Sequence, residues 1–192
     1  MSLTRIAPPA TYPVDLSQLR EHLRLDGVEQ DPLLLDYLRA ACAWVEQHTR
    51  RALMAQQWRL SLECWPSSVA LIELPRPPLL SVDEVSYIDG AGVRTVVPGE
   101  RYATAAAAPL AAIAPVWGSV WPSARPQADS IRIDYTAGYA DPQDVPADIC
   151  HAILMLVAHW HEHREASIVG TISGDTPMAV DALLSGHRLY AV

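Results

Sequence analysis

The clearest change in hydrophobic period lies in the last third of the chain. Ile131, Ile133 and Tyr135 alternate with polar residues, as in a half-buried β-strand. After a loop rich in Gly, Pro and Asp, a helix is predicted to begin at Val145-Pro146, because proline suits the first helical turn. This helix is apolar over far more than one narrow stripe, so we expect it to be covered on most sides. A neighbouring subunit could supply part of that cover.

Three more helices are predicted from the same kind of pattern. The first covers residues 15–25 with Asp15 as its N-cap, and the second begins at Asp31-Pro32. A short last helix is predicted to begin at Thr176-Pro177. The second helix has apolar residues spaced by three and four, and this core-facing seam consists of Leu34, Leu38, Ala41, Val45, His48 and Ala52.

The middle of the chain has strand periodicity instead. Strands are predicted at 56–65, 69–74, 82–88, 93–97 and 130–135, with a hairpin turn at Asp89-Gly90-Ala91-Gly92. Because the strands are grouped rather than alternating with helices, the sequence predicts an α+β fold. We expect a helical body built from both ends of the chain, with a β-rich insertion in the middle. The expected organisation is a single domain over 1–192, with N-terminal helices at 13–54, the β-rich insertion at 55–140 and C-terminal helices at 144–192.

Composition supports a globular chain. Of 192 residues, 50% are hydrophobic and 19% are charged, so a sizeable core is expected and wholesale disorder is not. The net charge of −8 argues against a protein that grips nucleic acid by its phosphates. Cys42, Cys64 and Cys150 form no CxxC motif and are expected to be reduced thiols that act as small hydrophobic residues. The N-terminus lacks the apolar segment of a secretory signal.

One uncharged segment, Tyr102–Ala124, is long enough to cross a bilayer. It consists largely of Ala and is interrupted by Pro109, Pro115 and Pro122, so we do not expect it to span a membrane.

The candidate metal ligands are histidines near the end of the long helix. His159 and His163 are four residues apart and share a helix face, whereas His161 points away from them. A polar helix end, with histidines near its terminal carbonyls, explains them without a metal. We therefore predict no metal site and no cofactor.

No catalytic motif emerges from the sequence, so no catalytic residue is predicted. Trp117 and Trp121, near Arg125, suit core packing or a subunit contact better than ligand stacking. An apolar, acidic α+β chain without such motifs favours an assembly component over an enzyme.

Several segments, in this order and spacing, resemble the small phage head–tail connector (adaptor) proteins, which also occur in phage-derived gene transfer agents. They cover about Pro13 to Ala166. The segments are PVDLSQLREHLRLDG, VEQHTRRAL followed by QQWRLSLE, ELPRPPLLSVDEVSYIDGAG, IAPVWGSVWPSARPQADSIRIDYTAGY and VPADICHAILMLVAHWHEHREA. The histidine-rich end of the last segment departs from the family pattern.

The resemblance implies a structural subunit rather than an enzyme. Such a subunit forms a ring of about a dozen copies, by head-to-tail contacts that close by rotation. The ring lies between the portal protein and the tail or a tail-completion protein, continues the DNA channel without binding DNA specifically, and involves no membrane. The implied location is the virion neck, with assembly in the host cytoplasm.

Large apolar side chains in these segments are the candidates for contacts between subunits. They are Ile153, Leu156, Trp160, Trp117, Trp121, Leu183 and Tyr190. The β-rich insertion and the segment after Gly170 are the expected docking elements. Three alternatives stay open: another neck or tail-completion protein, a metal-binding enzyme that uses His159 and His163, and a DNA-binding neck protein, which the charge disfavours.

Overall fold

The computed structural model describes residues 1–105, 110–163 and 178–189. These residues form four α-helices and two antiparallel sheets, which confirms the predicted α+β class. The strands are β1 (Ser2–Ala7), β2 (Gln56–Leu62), β3 (Ile72–Leu74), β4 (Leu79–Ile88), β5 (Arg94–Val96), β6 (Tyr102–Ala105), β7 (Ala111–Pro115) and β8 (Ile131–Ala137). The helices are α1 (Leu16–Leu23), α2 (Asp31–Thr49), α3 (Ala147–Glu162) and α4 (Met178–Ser185).

The chain divides into two compact units. The first, called the β unit, comprises residues 1–10 and 54–140; the second, called the helical unit, comprises residues 11–53 and 141–192. All eight strands of the described residues belong to the β unit, and all four helices belong to the helical unit.

The larger sheet of the β unit is centred on β8. Its strand order within the described residues is β1-β2-β8-β4-β5, and every neighbouring pair is antiparallel. The predicted alternation along β8 is confirmed, because Ile131, Ile133 and Tyr135 are buried while the residues between them are half-buried. Tyr135 also donates a hydrogen bond from its hydroxyl to the carbonyl oxygen of Pro75, at 2.8 Å. Burial raises the pKa of Tyr135, so this hydroxyl stays protonated.

Strand β1 was not predicted from the sequence. It pairs antiparallel with β2, in a register that places Leu3 opposite Leu60, with a bulge between Arg5 and Ala7. The strand has an exposed or half-buried side chain at every position, so it lacks the alternation that marks a half-buried strand. Its pairing with β2, rather than any local pattern, determines its conformation.

The smaller sheet has the strand order β3-β7-β6, and two of its strands come from the uncharged Ala-rich segment. Ala111, Ala112 and Ile113 are buried in β7. Alanine has a low strand propensity, so tertiary packing overrides local preference here. Among the helices of the described residues, none has the length and hydropathy needed to span a bilayer.

The predicted hairpin between β4 and β5 is confirmed. Ile88 pairs with Arg94, and the Asp89 carboxylate accepts hydrogen bonds from the backbone N–H groups of Ala91 and Val93, both at 2.9 Å. Gly92 adopts a φ of 87°, a conformation that glycine adopts without steric cost.

In the helical unit, α1 begins with the predicted cap. The Asp15 carboxylate accepts a hydrogen bond from the Gln18 backbone N–H at 2.8 Å, and the Gln18 side chain accepts one from the Asp15 N–H at 3.0 Å. The hydrogen bond from the Ser17 hydroxyl is the largest cause of a lowered pKa at Asp15. Leu19 is the fully buried residue of α1.

Most of the predicted α2 seam is also confirmed. Leu34, Leu38, Ala41 and Val45 are buried on one face of the helix. His48 is only half-buried, and the last buried position of α2 is Thr49 instead. Thr49 can occupy it because its hydroxyl donates to the Val45 carbonyl at 2.7 Å, which satisfies the polar group.

Helix α3 packs against α1, α2 and α4 of the same unit. The sequence suggested that a neighbouring subunit could supply part of the cover on its wide apolar surface. In the structure, the cover comes from the same chain. Helices α1, α2 and α4 pack against α3, whose buried residues are Ile149, Ile153, Leu156 and Val157. Leu154, Met155 and Trp160 are half-buried beyond this face.

Two helix starts differ from the sequence prediction by one position. Pro146 is the N-cap of α3, with a ψ of 135°, rather than its first helical residue. Gln30, not Asp31, occupies the N-cap of α2. Such shifts are common because helix ends are defined by backbone geometry and not by residue type alone. The predicted start at Thr176-Pro177 lies outside the described residues, and α4 is described from Met178.

We predict that Ile153→Asp prevents the helical unit from folding. Ile153 is 0% exposed, so the substitution removes core packing and buries an unpaired charge, at a combined cost of about 4 kcal/mol or more. Circular dichroism during urea unfolding measures the loss. Ala147→Asp is the matched control on the same helix, because Ala147 is exposed in the first turn, where a carboxylate is favourable. A folded Ile153→Asp protein with the unfolding midpoint of wild type would contradict the assigned core.

Candidate assembly surface

A fully exposed tryptophan stands on a tight turn of the β unit. The turn is closed by a hydrogen bond from the Ser119 N–H to the Val116 carbonyl at 2.9 Å, and Gly118 adopts a φ of 79°. These features match a type II turn with Trp117 at the second position and glycine at the third. Because both flanking backbone groups are held in the turn, the Trp117 side chain points into solvent, with a relative accessible area of 103%.

The base of this turn is anchored by a second tryptophan. Trp121 is 4% exposed and stacks on Trp65, with ring centroids 4.4 Å apart and ring planes 4° from parallel. Its indole N–H donates to the Ala70 carbonyl at 2.9 Å, and its backbone N–H donates to the Ser68 carbonyl at 2.8 Å. These contacts tie the segment after the Trp117 turn to the segment before β3.

Other exposed apolar side chains flank the turn. Val120 is 57% exposed next to Trp121, while Val69 and Leu71 are 63% and 53% exposed on the segment that Trp121 holds. These three residues and Trp117 are called the Trp117 patch. Exposed apolar side chains on segments that are held together in this way are a candidate interaction site.

The helical unit carries an open groove of about 710 Å³ between α3 and α4. Its apolar lining consists of Met155, Ala179, Ala182 and Leu183. Its polar lining consists of Asp148, His151, Ser185, Gly186 and His187. We call it the α3–α4 groove.

Helix α4 is attached to the rest of the helical unit by both burial and polar contacts. Val180 and Leu184 are fully buried. His48 lies 3.5 Å from Asp181, and His187 lies 3.5 Å from Asp148. The Arg51 guanidinium also donates to the His187 carbonyl at 2.7 Å. The wall of the groove is therefore held in place from several sides.

The structure separates the seven residues predicted as subunit contacts into three groups. Ile153, Leu156 and Trp121 are 0%, 2% and 4% exposed, so the chain's own core accounts for them and they are not available at its surface. Trp117 is fully exposed, and Trp160 and Leu183 are half-buried. Tyr190 lies outside the described residues.

Sequence reasoning missed part of this surface. Val69 and Leu71 lie in the predicted strand 69–74, but the structure begins β3 at Ile72 and leaves both residues exposed before it. The groove exists only where α3 and α4 pack. One local signal was available for Trp117, since a Trp-Gly pair between short strands suits the central positions of a type II turn.

The outer face of the larger sheet is polar. Arg59 of β2 and Asp134 of β8 form a two-pronged ion pair, with N···O distances of 2.7 and 2.6 Å. Arg132 donates to the Asp129 carboxylate, and this hydrogen bond is the largest cause of the lowered pKa of Asp129, about 2. Paired charges across strands stabilise the sheet and leave this face solvated.

The cysteines fit reduced thiols, with one difference from the sequence prediction. All three are free, and burial raises the pKa of Cys42 to about 12, so its thiol is unreactive. Cys150 is half-buried, and burial raises its pKa as well. Cys64 was expected to act as a small hydrophobic residue and lies in the predicted strand 56–65, but it is exposed because β2 ends at Leu62.

The side chains of His159 and His163, at the end of α3, lie next to each other, as their spacing predicted. The rings of His159 and His163 have centroids 4.7 Å apart, and His163 Nδ1 lies 3.0 Å from the His159 carbonyl oxygen. His161 contacts the side chain of Gln30 instead, at 2.8 Å. Across the part of the chain that the structure describes, no three His, Cys, Asp or Glu side chains gather in a group that could hold a metal ion.

The chain is similar to several proteins of known structure. No family model and no curated protein matches the chain. A chain in the neck of an empty gene transfer agent particle, determined with C6 symmetry, is 29% identical with a TM-score of 0.83. A chain in the virion of a native gene transfer agent particle is 29% identical with a TM-score of 0.81. A chain in the neck of a native particle, determined with C12 symmetry, is 27% identical with a TM-score of 0.78. Each alignment covers 100% of this chain and 97% of the other.

We predict that alanine substitution has a small effect on stability at Trp117 and a large destabilising effect at Trp121. Trp117→Ala should change the free energy of unfolding by less than about 0.5 kcal/mol, because its side chain is exposed. Trp121→Ala should lower the free energy of unfolding by about 3–5 kcal/mol, because it removes a buried ring and the stacking contact of that ring with Trp65. Urea unfolding at equilibrium measures both. A large loss for Trp117→Ala would show that this ring is packed rather than presented.

The lowered pKa of Asp129 predicts a pH-dependent contribution to stability. Its folded-state pKa of about 2 lies below the ordinary value of 3.8, so the stabilisation is complete above 3.8 and is lost as the pH falls through 2. Solvent screens this partly exposed pair, so Asp129→Asn should cost less than about 1 kcal/mol at pH 7. Urea unfolding from pH 7 to pH 2 should show the difference from wild type shrinking below pH 4. Glu100→Gln, an exposed carboxylate of the same unit, is the control.

Proposed function

We propose that this chain is the head–tail connector (adaptor) subunit of a phage or phage-derived particle. In this role, copies of the chain form a ring in the virion neck, between the portal protein and the tail or a tail-completion protein. The subunit is structural and performs no reaction. Its body is formed by helices from both ends of the chain, with the β-rich insertion between them, and the single-domain organisation over 1–192 stays a prediction.

The observation that carries this proposal is similarity over the whole chain to structural chains of gene transfer agent particles. Identity of 27–29%, with TM-scores of 0.78–0.83, extends over 100% of this chain rather than over one shared submodule. Two of the three structures are particle necks with C6 or C12 symmetry. Repetition about an axis supports a ring as the working form of this chain too.

The distribution of charge also supports the role. The β unit contains seven Arg and eight Asp or Glu residues, so its net charge is −1. The helical unit contains seven Arg and fourteen Asp or Glu residues, so its net charge is −7. A ring of such subunits captures few phosphates, which suits a channel through which DNA passes without specific binding.

One related role is a second candidate. A neck or tail-completion protein with the same fold would share the similarity to neck chains, yet it would contact the tail before the portal. The two roles differ in which neighbour the chain binds first.

The test is assembly on the portal. The chain, produced alone and together with the portal protein of its own particle, is analysed by native mass spectrometry and electron microscopy. We expect a closed ring with an open centre on the portal, with a copy number in the range of the C6 and C12 necks. The unfolded Ile153→Asp variant is the negative control and should leave the portal bare.

Three results would count against this role. They are a chain that stays monomeric with the portal, a chain absent from purified particles, and an enzyme activity that requires His159 or His163. Binding to isolated tails, with none to the portal, would support the tail-completion role instead. Assembly takes place in the host cytoplasm under either proposal, so cell fractionation does not separate them.

A further inference from the structure

The Trp117 patch belongs to the β unit, and the α3–α4 groove belongs to the helical unit. The patch carries a fully exposed indole ring close in the chain to the stacked Trp121. Within the described residues, the groove is an open depression with an apolar lining and a polar rim.

We infer that the Trp117 patch of one copy docks into the α3–α4 groove of the next copy. The inference rests on the proposed function, since it names the contact that joins neighbouring subunits of the ring.

The chemistry of the groove suits an indole ring. Its volume of about 710 Å³ exceeds that of one tryptophan side chain, and Met155 supplies a thioether, which packs favourably against aromatic rings. The indole N–H needs an acceptor once it leaves water, and the Asp148 carboxylate lies on the rim with 63% of its side chain exposed. Leu183 completes the lining as a half-buried side chain, and its burial would increase on docking.

Charge opposes contact between two helical units more strongly than contact between unlike units. Two helical units would each bring a net charge of −7, so their direct contact would be repulsive. The β unit has a net charge of −1, so its approach to a neighbouring helical unit carries a much smaller penalty. A contact from the β unit of one copy to the helical unit of the next therefore avoids most of the repulsion.

Symmetry leads to the same pairing. A patch that bound its own equivalent would give a closed dimer, because such an interface is shared equally by two copies. A patch that binds a different surface leaves one free patch and one free groove at the ends, so further copies can join until the ring closes. The patch and the groove provide these two different surfaces on one chain.

The size of the patch explains why a single contact would be weak. The exposed area of its four apolar side chains is on the order of 500 Å², against about 800 Å² per partner in a stable interface. Two isolated copies would associate only transiently. In a closed ring every subunit uses both its patch and its groove, so the contacts reinforce one another.

Disulfide trapping between singly substituted copies tests the contact directly. The background is Cys64→Ser, since Cys64 is exposed while burial raises the pKa of both Cys42 and Cys150. A Val120→Cys copy, which keeps Trp117, is mixed with an Ala182→Cys copy of different mass and oxidised, and the products are identified by mass spectrometry. The matched control replaces Ala182→Cys with Val28→Cys, because Val28 is exposed on the same unit and does not line the groove.

We expect the first mixture to yield several-fold more cross-linked heterodimer than the control. Trp117→Ala should weaken ring assembly about thirtyfold or more, as loss of a central hot spot does, while the monomer stays folded. Equal yields in the two mixtures, or a product dominated by Val120→Cys homodimers, would overturn the inference. Normal rings from Trp117→Ala that fail to join the portal or the tail would also overturn it, because the patch would then serve another protein.

The failure of the inference is distinguishable from that of the proposed function. If rings form on the portal without the cross-link, the connector role stands and this contact is wrong. If wild type forms no ring with its portal, the proposed function itself fails, whatever the cross-linking shows.

Discussion

Burial of two apolar segments, β8 and α3, supports the two units of the structure. β8 pairs with β2 on one side and β4 on the other, so its buried Ile131 and Ile133 lie at the centre of the larger sheet. α3 packs against α1, α2 and α4, so it has the same central place in the helical unit. Each large side chain buried in this way contributes about 1.5–3 kcal/mol, and the outer elements depend on these two central ones for their own cover.

A core that is complete within one chain changes how assembly must be explained. The wide apolar surface of α3 is largely covered by helices of the same unit, which leaves only half-buried side chains such as Met155 for a second copy. Among the described residues, the exposed apolar side chains include the fully exposed Trp117 on a turn of the β unit. Under the proposed function, a neighbouring copy would cover part of this exposed apolar surface. The net charge of −7 on the helical unit opposes direct contact between two such units.

The agreement between sequence and structure follows the range of the interactions involved. The capping box of α1, the Asp89 hairpin and the alternation of β8 were predicted, because each depends on residues close together in the chain. β1 and the Ala-rich strands were missed, because their conformation depends on pairing with distant segments. For the candidate surface, the sequence named Trp117 together with six others, of which Ile153, Leu156 and Trp121 are buried.

The sequence by itself determined the α+β class, most helix and strand positions and the acidic character of the chain, because hydrophobic period, caps, turn residues and charge are local properties. Tertiary structure alone decided which apolar residues reach the surface. Trp117 and Trp121 are four residues apart in a similar local sequence, yet one is fully exposed and the other is stacked on Trp65. The difference arises from a ring contact and backbone hydrogen bonds to a segment about fifty residues earlier in the chain, and no local pattern contains that information.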